Sequence, residues 1–120
     1  MLQPMDGVMT STAHVTSDRP MRYGKQLASH FSHKIEASWN KDSATGTAVF
    51  PIADTSDSVR CDMSADEGQL VLVLNGPAEH IGQFEEIVAR HLLRFAKPGE
   101  LKITFVRDNG ESSAFVYEEE

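Results

Sequence analysis

Between residues 34 and 74 the chain passes four times through one pattern, a short stretch of alternating apolar and polar side chains followed by a polar turn. Residues 34–39 (KIEASW) put Ile35, Ala37 and Trp39 on one face. Residues 47–52 follow, then Val59, Cys61 and Met63 alternating with Arg60 and Asp62, and residues 69–74 (QLVLVL) close the run. A period of two in segments this short predicts β-strands, and the short turns between them predict antiparallel hairpins.

Two segments of helical period bracket this meander. Ser17, Asp18 and Pro20 form a helix start, with a capping side chain before a proline in the first turn, and predict a helix over residues 19–33. At about 100° per residue, Tyr23, Leu27, Phe31 and His30 fall in one buried stripe, with His33 at its edge. Asn75, Gly76 and Pro77 predict the opening of a second helix that runs to residue 96. Its apolar sector contains Ile81, Phe84, Val88, Leu92 and Phe95, and His91 lies within it. Glu79 near the start and Arg90, Arg94 and Lys97 near the end follow the order that the helix dipole favours. Residues 10–16 read as a strand before the first helix and 101–106 as a strand after the second. Asn109–Gly110 is a hairpin signal, so 114–117 is expected to return as an extra edge strand. Strand, helix, four strands, helix and strand in that order predict an α+β domain, a two-layer, mostly antiparallel sheet with both helices on one face.

A length of 120 residues suits one such domain, placed at 10–107, with a flexible leader at 1–9 and an acidic tail at 108–120. The formal charge of −7 is unevenly placed. Residues 1–60 carry six acids and six bases, whereas 61–120 carry twelve acids and five bases. Five of those acids (Asp108, Glu111, Glu118, Glu119, Glu120) lie after residue 107 with no base among them, so subtracting −5 from −7 leaves the body at −2. An acidic balance speaks against a nucleic-acid or anionic-membrane partner. The one cysteine excludes an internal disulfide, the N-terminus lacks a signal peptide's basic and apolar regions, and no apolar run approaches a membrane span. These features predict a soluble cytoplasmic protein.

Phosphate loops, dinucleotide fingerprints, HExxH and GxSxG are absent from the sequence. Cys61, in mid-strand, reads as a buried structural thiol; a nucleophile there would need an exposed, electropositive setting. Asp62, Asp66 and Glu67 flank a turn and read as solvated surface, as does Glu85–Glu86 on the second helix. The histidines are the remaining constellation. His30 and His33 are three apart on a predicted helix and His91 comes from the other, so packed helices would bring them to one seam. Three imidazoles are a donor set for iron, zinc or haem. Equally, His30 and His91 can bond backbone or serine groups and serve the core.

RYGKQLASHFSHK and IVARHLLRFA, with the meander and its Phe50 and Cys61 between them, resemble the bacterial domain-of-unknown-function family 2218. The resemblance spans residues 10–106 and rests on Arg22, Tyr23, Gln26, Leu27, His30, Phe31, His33, Lys34, His91, Leu92, Arg94 and Phe95. It implies no established activity. It does imply company with, or fusion to, flavin-dependent siderophore reductases, and so a link to iron metabolism.

The leading expectation is a small binding or accessory domain with a histidine-based site at His30, His33 and His91, serving iron or siderophore metabolism. One alternative is a protein–protein module docking on a reductase partner through the acidic tail or a sheet face. Another is an enzyme using His33 or Cys61.

Overall fold

The structure, a computed structural model, describes residues 7–97 and 99–116. Its elements are β1 (Val8–Thr16), α1 (Pro20–Phe31), β2 (Glu36–Asn40), β3 (Thr45–Pro51), β4 (Ser58–Asp66), β5 (Gln69–Pro77), α2 (Ala78–Phe95), β6 (Lys102–Arg107) and β7 (Ser112–Val116). The strands form one sheet in the order β2-β3-β4-β5-β1-β6-β7, with every neighbouring pair antiparallel. The chain therefore crosses under α1 to one edge, returns through three hairpins to pair with β1, and crosses under α2 to the other side.

Register turns the alternation into a single core. Ala48, Cys61 and Leu74 lie in one cross-strand row, and Met63, Leu72, Ala13 and Phe105 lie in the next. All seven are buried to within 2% exposure. Their neighbours Thr47, Asp62, Val73 and Thr12 point to the other face, which is only half-buried. One buried face means that both helices cover the same side, as an α+β two-layer domain requires. α1 contributes Tyr23, Leu27, Ala28 and Phe31 to this core, and α2 contributes Ile81, Phe84, Val88, Leu92 and Leu93.

Trp39 sets how closely α1 approaches the sheet. A Cβ built on Gly24 of α1 would lie 2.6 Å from the ring carbons of Trp39, and one on Gly46 of β3 would also lie 2.6 Å from the ring. The indole thus fills a slot that only two glycines leave open.

Several boundaries differ from the sequence reading. α1 ends at Phe31, not His33. There Ser32 Oγ donates to the Ser29 carbonyl at 2.7 Å, and the Lys34 amide donates to the Phe31 carbonyl at 3.0 Å, closing the last turn early. β5 continues through Asn75, Gly76 and Pro77, which pair with Thr10, Met9 and Val8 of β1, so that triplet ends a strand before the helix begins. The same pairing draws Val8 and Met9 into β1, where a leader was expected; residues 1–6 lie outside the described residues. Residues 108–116 form a turn and edge strand β7, so they are part of the sheet. Asp108 accepts a hydrogen bond from the Thr10 amide, and Tyr117 and the three terminal glutamates lie outside the described residues.

Glu85 corrects the expectation of a wet face on α2, because it is fully buried. The row of Ala48, Cys61 and Leu74 continues into Ser11 and Arg107, and these two polar groups meet Glu85 from the sheet. Ser11 Oγ donates to Glu85 Oε2 at 2.6 Å, while Arg107 donates from Nε to Oε2 at 3.0 Å and from Nη2 to Oε1 at 2.8 Å. The hydrogen bonds to Glu85 hold the Arg107 guanidinium even more firmly protonated than usual. At about 100° per residue Glu85 stands about 40° from Ile81, inside the apolar stripe, so helical angle carries this signal; the partners that satisfy the buried carboxylate come from β1 and β6.

Candidate functional site

The last turn of α1, the turn after it and the C-terminal half of α2 enclose a cleft of about 610 Å³. Its floor is apolar, made by Phe31, Ile35, Phe50 and Ile87, and its rim is basic, made by His30, His33, Lys34, His91 and Arg94. Among the described residues, no carboxylate lines it. Aromatic edges join the floor to the core, with Phe31 and Phe50 ring centroids 5.0 Å apart and Phe50 and Phe84 5.2 Å apart.

His30 and His91 meet across the seam with ring centroids 4.9 Å apart and planes tilted by 44°. Phe31 packs 5.2 Å from His91, and Phe95 packs 5.7 Å from His30. His91 is half-buried, and its Nδ1–H donates to the Ile87 carbonyl one turn back at 2.7 Å. Since a carbonyl only accepts, that bond places the proton on Nδ1 and leaves Nε2 of the neutral ring with a free lone pair. His30 is exposed, which corrects its placement inside the buried stripe of α1. Its pKa lies below the ordinary histidine value, first because the flanking rings desolvate it and then because His91, His33, Arg94 and Lys34 repel a proton. His33 is exposed beyond the end of α1, so helical spacing does not relate it to His30, yet it reaches the same rim.

The three predicted histidines therefore share one cleft. Among the described residues, no three His, Cys, Asp or Glu side chains converge as a metal-holding group. The cations that flank His30 also oppose a bare metal ion. The arrangement suits a negatively charged ligand better.

The other residues singled out from the sequence fall along the same seam. Lys34 and Arg94 border the cleft, Arg22 and Gln26 line a hollow on the far side of His30, and Tyr23 lies just beyond. Tyr23 donates to Glu100 Oε2 at 2.5 Å; burial, then this bond, raises the phenol's pKa, while the bond lowers that of the carboxyl. Arg19, Lys25 and Lys97 also line the seam and were missed as site residues. Arg19 and Lys25 lie three residues either side of Arg22, so the helical spacing held the signal.

Cys61 lies apart from the seam. It is fully buried in β4, and burial pushes its thiol up to about 12, so the thiolate needed for nucleophilic attack does not form near neutrality. The cysteine form of the enzyme alternative is therefore not supported.

A bacterial family described as an uncharacterised protein conserved in bacteria (DUF2218) matches residues 12–105, most of the chain. The chain belongs to this family. Among curated proteins none matches this DUF2218 member. A solved structure that resembles it is the NMR structure of PA4090 from Pseudomonas aeruginosa, with 28% identity and a TM-score of 0.61, covering 80% of this chain and 93% of that one. No helix among the described residues of the DUF2218 member is long and apolar enough to cross a membrane.

Proposed function

We propose that this DUF2218 protein is a small cytoplasmic binding or accessory domain whose cleft between α1 and α2 holds an organic anion with an apolar or aromatic body. The observation that carries this reading is the distribution of unpaired positive charge. The sequence has eleven Lys and Arg residues. Among the described residues, Arg60, Arg90 and Arg107 pair with carboxylates and the other eight do not; six of those eight, Arg19, Arg22, Lys25, Lys34, Arg94 and Lys97, line the seam, and Lys41 and Lys102 do not. An acidic chain that collects most of its unneutralised cations along one seam with an apolar floor has a surface complementary to an amphipathic anion.

Iron metabolism is the proposed setting. The company with flavin-dependent siderophore reductases that the resemblance implies makes an aromatic iron chelator the first ligand to try, with such a reductase as partner. Catecholates combine negative charge with a flat apolar ring, which matches both halves of the cleft. In this form iron arrives already chelated, Lys34 and Arg94 meet its charge, and His30, His33 and His91 contribute shape around it.

A second reading, direct ligation of iron, zinc or haem by His30 and His91, draws on the His91 bond to Ile87. That bond frees Nε2 as a donor and orients the ring as outer-sphere hydrogen bonds do at metal sites. Calorimetry on the tag-free protein separates the two. The anion reading expects saturable binding of dihydroxybenzoate and of its ferric complex, weakened about tenfold in Arg94→Gln. Binding of free zinc or haem that is lost in His30→Ala and His91→Ala, with no response to dihydroxybenzoate, would support ligation instead.

A further inference from the structure

The cleft at His30 and His91 is one compartment of a longer groove. On the other side of the His30 ring lies a hollow of about 410 Å³ lined by Arg22, Lys25, Gln26, Ser29, His30 and Phe95. His30 borders both spaces. A third hollow of about 280 Å³ shares Arg22, Gln26 and Phe95 with the second and adds Arg19 and Lys97. Along α1, Arg22, Gln26, Ser29 and His30 stand at i, i+4, i+7 and i+8, which places them on one face, with Lys25 beside them. Arg22 and His30 are eight residues apart, or about 12 Å along the helix axis. The groove thus has two basic ends, Lys34 with Arg94 at one and Arg22 with Lys25 at the other. Between them lie the rings of His30 and Phe95, 5.7 Å apart.

We infer that the seam binds its ligand at two anionic points, the second being the Arg22–Lys25 shelf, and that the preferred ligand is an elongated dianion with an apolar middle. This rests on the anion reading of the cleft and deepens it. One negative charge meets Arg94 and Lys34, the apolar body passes over the His30 and Phe95 rings, and the second charge meets Arg22 and Lys25. Among the described residues the one carboxylate of the groove, Glu100, lines the third hollow and not the shelf hollow; Tyr23 and the Lys97 amide hold it ionised, and the charges of Arg19 and Lys97 act on it there. Arg22 and Lys25 are both exposed and make no ion pair among the described residues, so their substitution leaves the core untouched.

The test compares dodecanedioate with its monomethyl ester, which keeps the length and removes one charge, by calorimetry on the full chain. Wild-type protein is expected to bind the dianion about fivefold more tightly than the monoester, the advantage of an exposed charge pair. The double variant Arg22→Gln/Lys25→Gln should lose that advantage and keep its affinity for the monoester, whereas Arg94→Gln should weaken both ligands. Equal binding of dianion and monoester, with Arg94→Gln still weakening both, would overturn the second subsite and leave the cleft reading standing. Failure of both ligands to bind would remove the cleft reading, and the second subsite with it. Binding of a single-stranded oligothymidylate in preference to the dianion, abolished by the same double variant, would also overturn the inference by assigning the groove to nucleic acid. Far-UV circular dichroism of each variant confirms that the fold persists.

Discussion

Replacing Glu85 by alanine should be the most damaging single change on the polar side of the core. Glu85 is fully buried and accepts three hydrogen bonds, one from Ser11 Oγ and two from Arg107. Removing one partner of a buried ion pair typically costs about 3–5 kcal/mol, because the remaining charge stays desolvated without compensation. The Arg107 side chain is 21% exposed and keeps Glu111 at 3.1 Å, which places the charge penalty at the lower end. Ser11 is itself fully buried, and an orphaned hydroxyl there adds about 1 kcal/mol. A total of about 3–4 kcal/mol follows. With an unfolding entropy of about 2.1 cal/mol/K per residue over 120 residues, or about 0.25 kcal/mol/K, the melting temperature should fall by about 12–16 °C.

Thermal unfolding followed by circular dichroism, backed by urea titration, measures this directly. The pair Glu85→Leu/Arg107→Met should be closer to wild type than Glu85→Ala, since removing both charges removes the unpaired one. A loss below about 1 kcal/mol in Glu85→Ala, or a double variant that falls by the sum of the single ones, would refute the reasoning that the pair acts as a coupled, desolvated unit.

Three other changes have defined outcomes. Gly24→Ala should destabilise by about 1–3 kcal/mol through overpacking against Trp39 and shift the emission of this lone tryptophan; an unchanged spectrum and melting point would mean that the slot is not tight. Cys61 should resist dithionitrobenzoate in the folded protein and react fully in urea, and rapid labelling of native protein would contradict its burial. His30 has a folded pKa below the unfolded value of about 6.5, so its contribution to stability is present above that value and lost as pH falls through the folded one. The ligand-free protein should therefore melt lower on acidification, and less so in His30→Gln, while anion affinity rises as His30 gains charge. An equal acid response in wild type and His30→Gln would remove His30 as the titrating group.

What the sequence made legible follows the range of the forces involved. The period of two in residues 34–74 specified the β2–β5 hairpins, because alternation and turns are local. The long run of β5 through Pro77 was not legible, since pairing with Val8 and Met9 of β1 outweighed the helix-opening character of Asn75-Gly76-Pro77. Helical angle located His91 correctly but gave His30 too much burial, because its ring meets His91 and Phe95 of α2 while opening onto the hollows that flank it. The end of α1 was misjudged for the same reason that His33 lost its helical relation to His30: Ser32 closes the last turn. Glu85 stands within the apolar stripe of α2 by helical angle, yet a carboxylate there reads as solvated until its partners Ser11 and Arg107 are placed, and they come from β1 and β6. The charge count also changed meaning. A total of −7 hid a seam where six bases without an ion pair among the described residues gather, because a sum over the chain carries no information about position.

The central claim is that the seam between α1 and α2 is an anion-binding site, and a two-dimensional amide NMR titration with dihydroxybenzoate tests it most directly. Saturable shifts are expected at residues 29–35 and 87–95, with the His30 and His91 ring signals moving alongside them and Arg94→Gln reducing the effect. Absence of saturable shifts, or shifts confined to the uncovered sheet face around Thr47, Asp62 and Val73, would contradict the account.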